Sequence, residues 1–142
     1  MFERNFFLRE TQLLAQAVGD VITKKKKKEY DEALLQVDKS LDRFFKTDTD
    51  TIQGMTEEEV LQFCYEEGQF FNEKGLPLAD LLTEKADIMD DLDDSESAIG
   101  WYQKALALYR AAASNPGATI PLDIYSKINR LQEYISDLKG EG

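Results

Sequence analysis

Tyr30, Leu34, Val37, Leu41 and Phe44 follow one another at intervals of four, three, four and three residues. An α-helix turns once in about 3.6 residues, so this spacing draws one apolar stripe along a helix over about 28–46. A strand, whose side chains alternate from face to face, cannot gather these residues on one side. Ile124, Ile128, Leu131, Ile135 and Leu138 repeat the spacing, and Ala98, Trp101/Tyr102, Ala105, Leu108/Tyr109 and Ala112 lay out a third stripe. No segment alternates apolar and polar residues over enough positions to predict a strand. Such helices gain their stability by burying stripes against one another. The sequence therefore predicts an all-α fold, one domain over residues 1–142, with consecutive helices packed as antiparallel hairpins.

Local signals divide the chain into about six helices. The first spans about 2–23, with Phe6/Phe7, Leu14, Val18 and Val21/Ile22 on one side, and the second about 28–46. Residues 47–55 are polar and β-branched and read as a loop. Thr56 stands three residues before Glu59, the spacing of a capping box, and opens a third helix over about 56–74. This helix is expected to bury Val60, Phe63/Cys64 and Phe70/Phe71 and to stop at Gly75. Pro77 suits the first turn of a fourth helix over about 78–92, where its missing N–H goes unneeded. Asp94 or Ser95 caps a fifth over about 96–113, and Asn115-Pro116-Gly117 breaks it. Pro121 opens a sixth that ends near Lys139 and is expected to cover the last hairpin.

The residues that are missing narrow the chemistry. The chain has no histidine, which removes His-based acid–base catalysis, Ser-His and Cys-His nucleophiles and every His-ligated metal site. Its 17 basic and 28 acidic residues give a net charge of −11, which argues against nucleic acid as a partner. A lone cysteine, Cys64, forms no intramolecular disulfide. No apolar run approaches the ~20 residues of a membrane span. Glu3 and Glu10 interrupt the apolar N-terminus, unlike a secretory signal. A cytoplasmic protein that makes no membrane contact is expected. There is no glycine-rich phosphate cradle, and no cofactor is expected.

Several side chains are candidates for binding. Lys24, Lys25, Lys26, Lys27 and Lys28 form the one obvious like-charge run. It lies in a segment, residues 1–46, with 10 basic and 8 acidic residues, net +2, whereas 47–142 holds 7 and 20, net −13. The run reads either as a patch for an anionic partner or as a solvated helix end whose cations complement the negative pole of the helix. Asp48, Asp50 and Glu59 fit positions 1, 3 and 12 of a calcium loop, but Ile52 and Gln53 occupy a ligand position and the obligate-glycine position. The acidic run 90–96 suits the entry to a helix. Among reactive groups, Glu67 sits between Cys64 and Phe71 on the third expected helix, while Glu66 and Asp87 read as solvated. Cys64, lacking an activating base, reads as a small core residue. Trp101 and Tyr109, with Tyr102, Tyr125 and Tyr134, are either core residues or exposed anchors beside a groove.

The second and fifth expected helices resemble each other at an offset of 65 residues, near twice the ~34 of a tetratricopeptide unit. Ala98, Tyr102 and Ala105 resemble the small–aromatic–small signature of the second helix of a tetratricopeptide repeat, and Leu82, Ala86 and Met89 match its first helix. Ala33, Val37 and Ser40 match less completely. The chain is also similar to an uncharacterised family of small tetratricopeptide-like proteins from Gram-positive bacteria. The resemblance implies stacked helical hairpins and a scaffold or adaptor that binds a protein or peptide. Lys85 is the one basic residue on the fourth expected helix that would suit the lysine of the family's peptide clamp. A homodimer through Phe2, Phe6 and Phe7 is a further expectation. A regulatory module that binds an anion through Lys24–Lys28 and a carboxylate-based enzyme are the alternatives.

Overall fold

The computed structural model of the chain describes the backbone of residues 2–140 and the side chains of residues 8–140. The homodimer face proposed for Phe2, Phe6 and Phe7 lies outside the described side chains. Seven helices occur among the described residues: α1 (Phe2–Lys26), α2 (Tyr30–Phe45), α3 (Thr49–Gln53), α4 (Glu57–Leu61), α5 (Asn72–Asp91), α6 (Ser95–Ala113) and α7 (Ile124–Leu138). The periodic stripes behave as the sequence predicts. Ala33, Val37 and Leu41 of α2 are fully buried, as are Ala98, Ala105, Leu108 and Ala112 of α6. Ile124, Ile128, Leu131 and Ile135 turn α7 onto the same core. The main packing is α5 on α6, with α1–α2 on one flank of that pair and α7 on the other.

Three helix ends, at Lys28, Lys46 and Asp93, close without glycine. Lys28 and Asp93 take the left-handed conformation, at φ 61° and 62°. Glu29 N–H then donates to Lys24 O and Lys28 N–H to Lys25 O, each at 2.9 Å, while Asp94 and Asp93 repeat the pattern on Met89 and Asp90. This Schellman geometry satisfies carbonyls that the helix end leaves free. It carries α1 three residues beyond its expected end.

The expected helix over 56–74 is overturned. The Thr56–Glu59 capping box forms, but α4 ends at Leu61 and gives way to a 3-10 turn over Gln62–Cys64. A two-residue antiparallel ladder follows, β1 (Tyr65–Glu66) with β2 (Gln69–Phe70), in which Tyr65 pairs with Phe70. Glu67 and Gly68 both have positive φ, 51° and 78°, as a tight hairpin turn matching the right-handed twist of its strands demands. The apolar period of Phe63, Phe70 and Phe71 is that of a helix, and the Glu67-Gly68 turn overrides it. Gly75 does not stop a helix but lies inside α5, and Pro77 is the sixth residue of that helix, not its first turn. Residues 47–55, expected as a loop, contain α3, and Pro121 lies in a turn three residues before α7.

Two asparagines hold the hairpin in place. Asn115 Nδ2 donates to Phe70 O and to Asn72 Oδ1, both at 2.8 Å, and Asn72 Nδ2 donates to Ala112 O at 3.1 Å. The clasp presses Phe70 against α5, where a Cβ on Gly75 would overlap the Phe70 ring, 2.7 Å from Cε1. At Gly100 in α6 an added Cβ meets nothing within 4 Å. Gly75 and Gly100 should therefore respond oppositely to alanine. Gly75→Ala is expected to destabilise by about 1–3 kcal/mol through overpacking. Gly100→Ala is expected to stabilise by about 0.5–1 kcal/mol through helix propensity. Urea unfolding of both variants checks the signs.

Candidate functional site

The polar face of α5 organises the interior. Asp80, Glu84, Asp87 and Asp91 recur at intervals of four, three and four, so they lie on one stripe of the helix. Each meets a donor from another element. Tyr109 OH of α6 donates to Asp80 Oδ1, which also pairs with Lys127 Nζ of α7 at 3.2 Å. Tyr102 OH donates to Asp87 Oδ1, while Lys25 Nζ of α1 donates to Asp87 Oδ2 at 2.8 Å and contacts Glu84 Oε1 at 2.6 Å. Tyr30 OH donates to Asp91 Oδ2 at 3.0 Å. Asp87, expected on a solvated face, is thus a shared acceptor. Burial and the hydrogen bond to Asp87 push the Tyr102 phenol far above its ordinary value. Burial and the charge of Asp80 do the same for Tyr109, so both phenols remain proton donors. Burial alone would lower the Lys25 ammonium, but hydrogen bonds to Asp87 and Glu84 leave it raised. Glu84 is 9% exposed, and burial raises its carboxyl above the ordinary value despite the opposing pull of Lys25.

A groove opens on another side of α5 and α6. One lobe, about 520 Å³, is lined by Thr49, Asp50 and Gln53 of α3, Lys85 and Met89 of α5, and Asp94, Glu96, Ser97, Gly100, Trp101 and Lys104 on and just before α6. A second, about 500 Å³, shares Gly100 and Lys104 and continues past Met55, Thr56, Glu57 and Glu58. Lys85 Nζ and Lys104 Nζ each stand 5.7 Å from the centre of the Trp101 ring. Neither forms an ion pair among the described residues. Burial lowers both ammoniums, against the opposing pull of Asp38 and Asp50 on Lys85 and of Glu57 on Lys104.

Of the residues singled out from the sequence, the structure brings Lys85 and Trp101 together. Lys104, which completes the arrangement, was missed, although its place one turn after Trp101 on the same helix is legible. Trp101 and Tyr109 are not protruding anchors, since each is only 2% exposed. Tyr109 points to Asp80 and lies away from the groove, with Lys127 Nζ 5.6 Å from its ring centre. The exposed aromatics among the described residues are instead Tyr125, Tyr134 and Tyr65. Lys24–Lys28 do not form one patch: Lys25 turns inward to α5, while Lys26, Lys27 and Lys28 face solvent. Glu67 sits exposed at the hairpin tip, away from any enclosed site. Asp48 and Glu59 serve as caps, Asp48 accepting from Thr51 N–H at 2.8 Å and Glu59 from Thr56 N–H at 2.9 Å, and these bonds lower both carboxyls. Cys64 is buried, and burial pushes its thiol up to about 12.

No helix among the described residues is long and apolar enough to cross a membrane. No protein-family model matches the chain, and no curated protein or solved structure matches it.

Two outcomes follow from these environments. In the unfolded chain Glu84 ionises near 4.5, whereas in the native state it holds its proton to higher pH. The contribution of Glu84 to native stability therefore falls as pH rises from about 4.5 through the raised value, because the folded state binds the extra proton there. Urea unfolding of the native chain and of Glu84→Gln across that range should show a stability difference that grows more unfavourable to the native chain with pH. A difference independent of pH would refute this account. The Cys64 thiol should react with a disulfide reagent at pH 8 only at the rate of local or global unfolding, and urea should accelerate it sharply.

Proposed function

We propose that this chain is a binding scaffold or adaptor of tetratricopeptide-like helical hairpins, acting in the cytoplasm, whose groove along α6 accepts a segment of a protein or peptide. The observation that carries this reading is the groove floor. Gly100 lies inside the continuous helix α6, where glycine costs about 1 kcal/mol relative to alanine. No neighbouring atom requires it, since a Cβ there would project into open space between the two lobes. Its absent side chain leaves room for another backbone to lie close to the helix. The joined lobes form a trough and not a closed pocket, which suits an extended segment better than a compact small molecule. A binding role in place of a catalytic one is supported by the chemistry of the lining. It holds lysines, carboxylates, hydroxyls, methionines and glutamines around Gly100 and Trp101, with no histidine or cysteine among them. The carboxylates and phenols of the α5 stripe are already engaged with one another.

Photo-crosslinking tests this reading. A benzophenone amino acid placed at Gln103, which lines the groove, should give discrete adducts in the cells that produce the protein. The same group at exposed Tyr125, on α7, should not give those adducts. Adding Gly100→Leu should abolish them while thermal stability is kept. Adducts indistinguishable between the two positions would remove the groove as the binding site.

A further inference from the structure

The distribution of charge along the groove is more specific than a general binding trough requires. One lobe carries Asp50, Asp94 and Glu96, and the other carries Glu57 and Glu58. Lys104 stands where the two lobes meet, and Lys85, in the first lobe, shares the Trp101 ring with it. The sequence of sign along the groove is therefore negative, positive, negative. The central ammoniums are partly desolvated, and the indole beneath them offers only its face. A lysine on an aromatic ring still has N–H donors directed away from it. No carboxylate among the described residues comes within ion-pair distance of either, although five line the same groove. An external carboxylate placed between the two would supply the missing acceptors. A phosphate dianion is disfavoured by the flanking carboxylates and by the absence of a guanidinium fork or a free helix N-terminus. Asp94 already caps α6 by accepting from Ser97 N–H at 3.2 Å.

We propose that the groove selects a peptide segment by charge order, a carboxylate seated between Lys85 and Lys104 with a basic residue on each side of it, reaching Asp50, Asp94 and Glu96 in one lobe and Glu57 and Glu58 in the other. This rests on the reading of the groove as a peptide site and adds the chemistry of its occupant. The eight steps from Glu96 to Lys104 cover about 12 Å of helix. An extended peptide covers that distance in about four residues. Acid and base in the occupant are thus about four residues apart when extended.

The probes are ~nine-residue peptides in an alanine–serine background, with Lys, Glu and Lys at the first, fifth and ninth positions, matching that spacing. A sign-reversed peptide (Glu, Lys, Glu) and one with Gln at the centre accompany it. Emission of Trp101, the one tryptophan of the chain, reports occupancy. The Lys-Glu-Lys peptide is expected to bind saturably and more weakly as salt rises. Both comparison peptides should bind about tenfold or more weakly, as should the Lys-Glu-Lys peptide to Lys85→Gln or Lys104→Gln. Lys27→Gln, which removes an exposed charge far from Trp101 in sequence, should leave binding unchanged. Unfolding curves establish that the variants fold. Equal binding of all three peptides, lost in Gly100→Leu, would overturn the charge order and keep the groove as a peptide site. No saturable binding by any peptide would overturn both, and binding that survives Gly100→Leu and both lysine variants would place the peptide elsewhere.

Discussion

The stripe of carboxylates on α5 is the constraint on which the rest of the structure depends. Four acids on one helix face would repel one another and would be costly to bury without partners. They are tolerated because α1 supplies Lys25, α2 Tyr30, α6 Tyr102 and Tyr109, and α7 Lys127. Apolar burial on α5 would hold these helices near one another in several registers. The paired acids fix one, because each phenol or ammonium must reach its own carboxylate. Tyr102 and Tyr109 show the division of labour, since each ring packs in the core while its hydroxyl reaches the polar stripe.

That arrangement also separates two kinds of lysine. Lys25 and Lys127 meet carboxylates and are structural. Lys85 and Lys104 face the groove and rest on Trp101 without an ion pair. Lys85 is adjacent in sequence to Glu84, yet the 100° step between neighbours on a helix sends one to the interior stripe and the other to the groove. A chain with a net charge of −11 has ample acid to neutralise two lysines, yet these form no ion pair among the described residues.

The all-α fold was legible in the sequence because its long helices carry clean apolar periods, and α2, α6 and α7 sit close to where those periods place them. The region 56–75 was not, because Phe63, Phe70 and Phe71 satisfy a helical spacing that two residues, Glu67 and Gly68, interrupt. A Glu-Gly pair between Tyr65-Glu66 and Gln69-Phe70 is a weak hairpin signal beside three phenylalanines in helical phase. Boundaries at Lys28 and Asp93 were obscured because neither end uses glycine. In the site, Lys85 and Trp101 were visible as a lysine and an aromatic on neighbouring helices. Their meeting with Lys104 depends on how α5 packs against α6, which no local pattern encodes. The stripe at 80, 84, 87 and 91 was readable as spacing, but acids at helical intervals ordinarily mark a solvated face.

The Asn72–Asn115 clasp has a consequence for the order in which the chain assembles. It joins residues more than forty positions apart, across the whole of α5 and α6. Helices form on local contacts, while such closure waits on the elements that bring its ends together. The Phe70 carbonyl therefore gains its Asn115 donor only once the far end of α6 has arrived. The ladder itself is a local contact, so the clasp ties hairpin to helical frame and is a condition for neither.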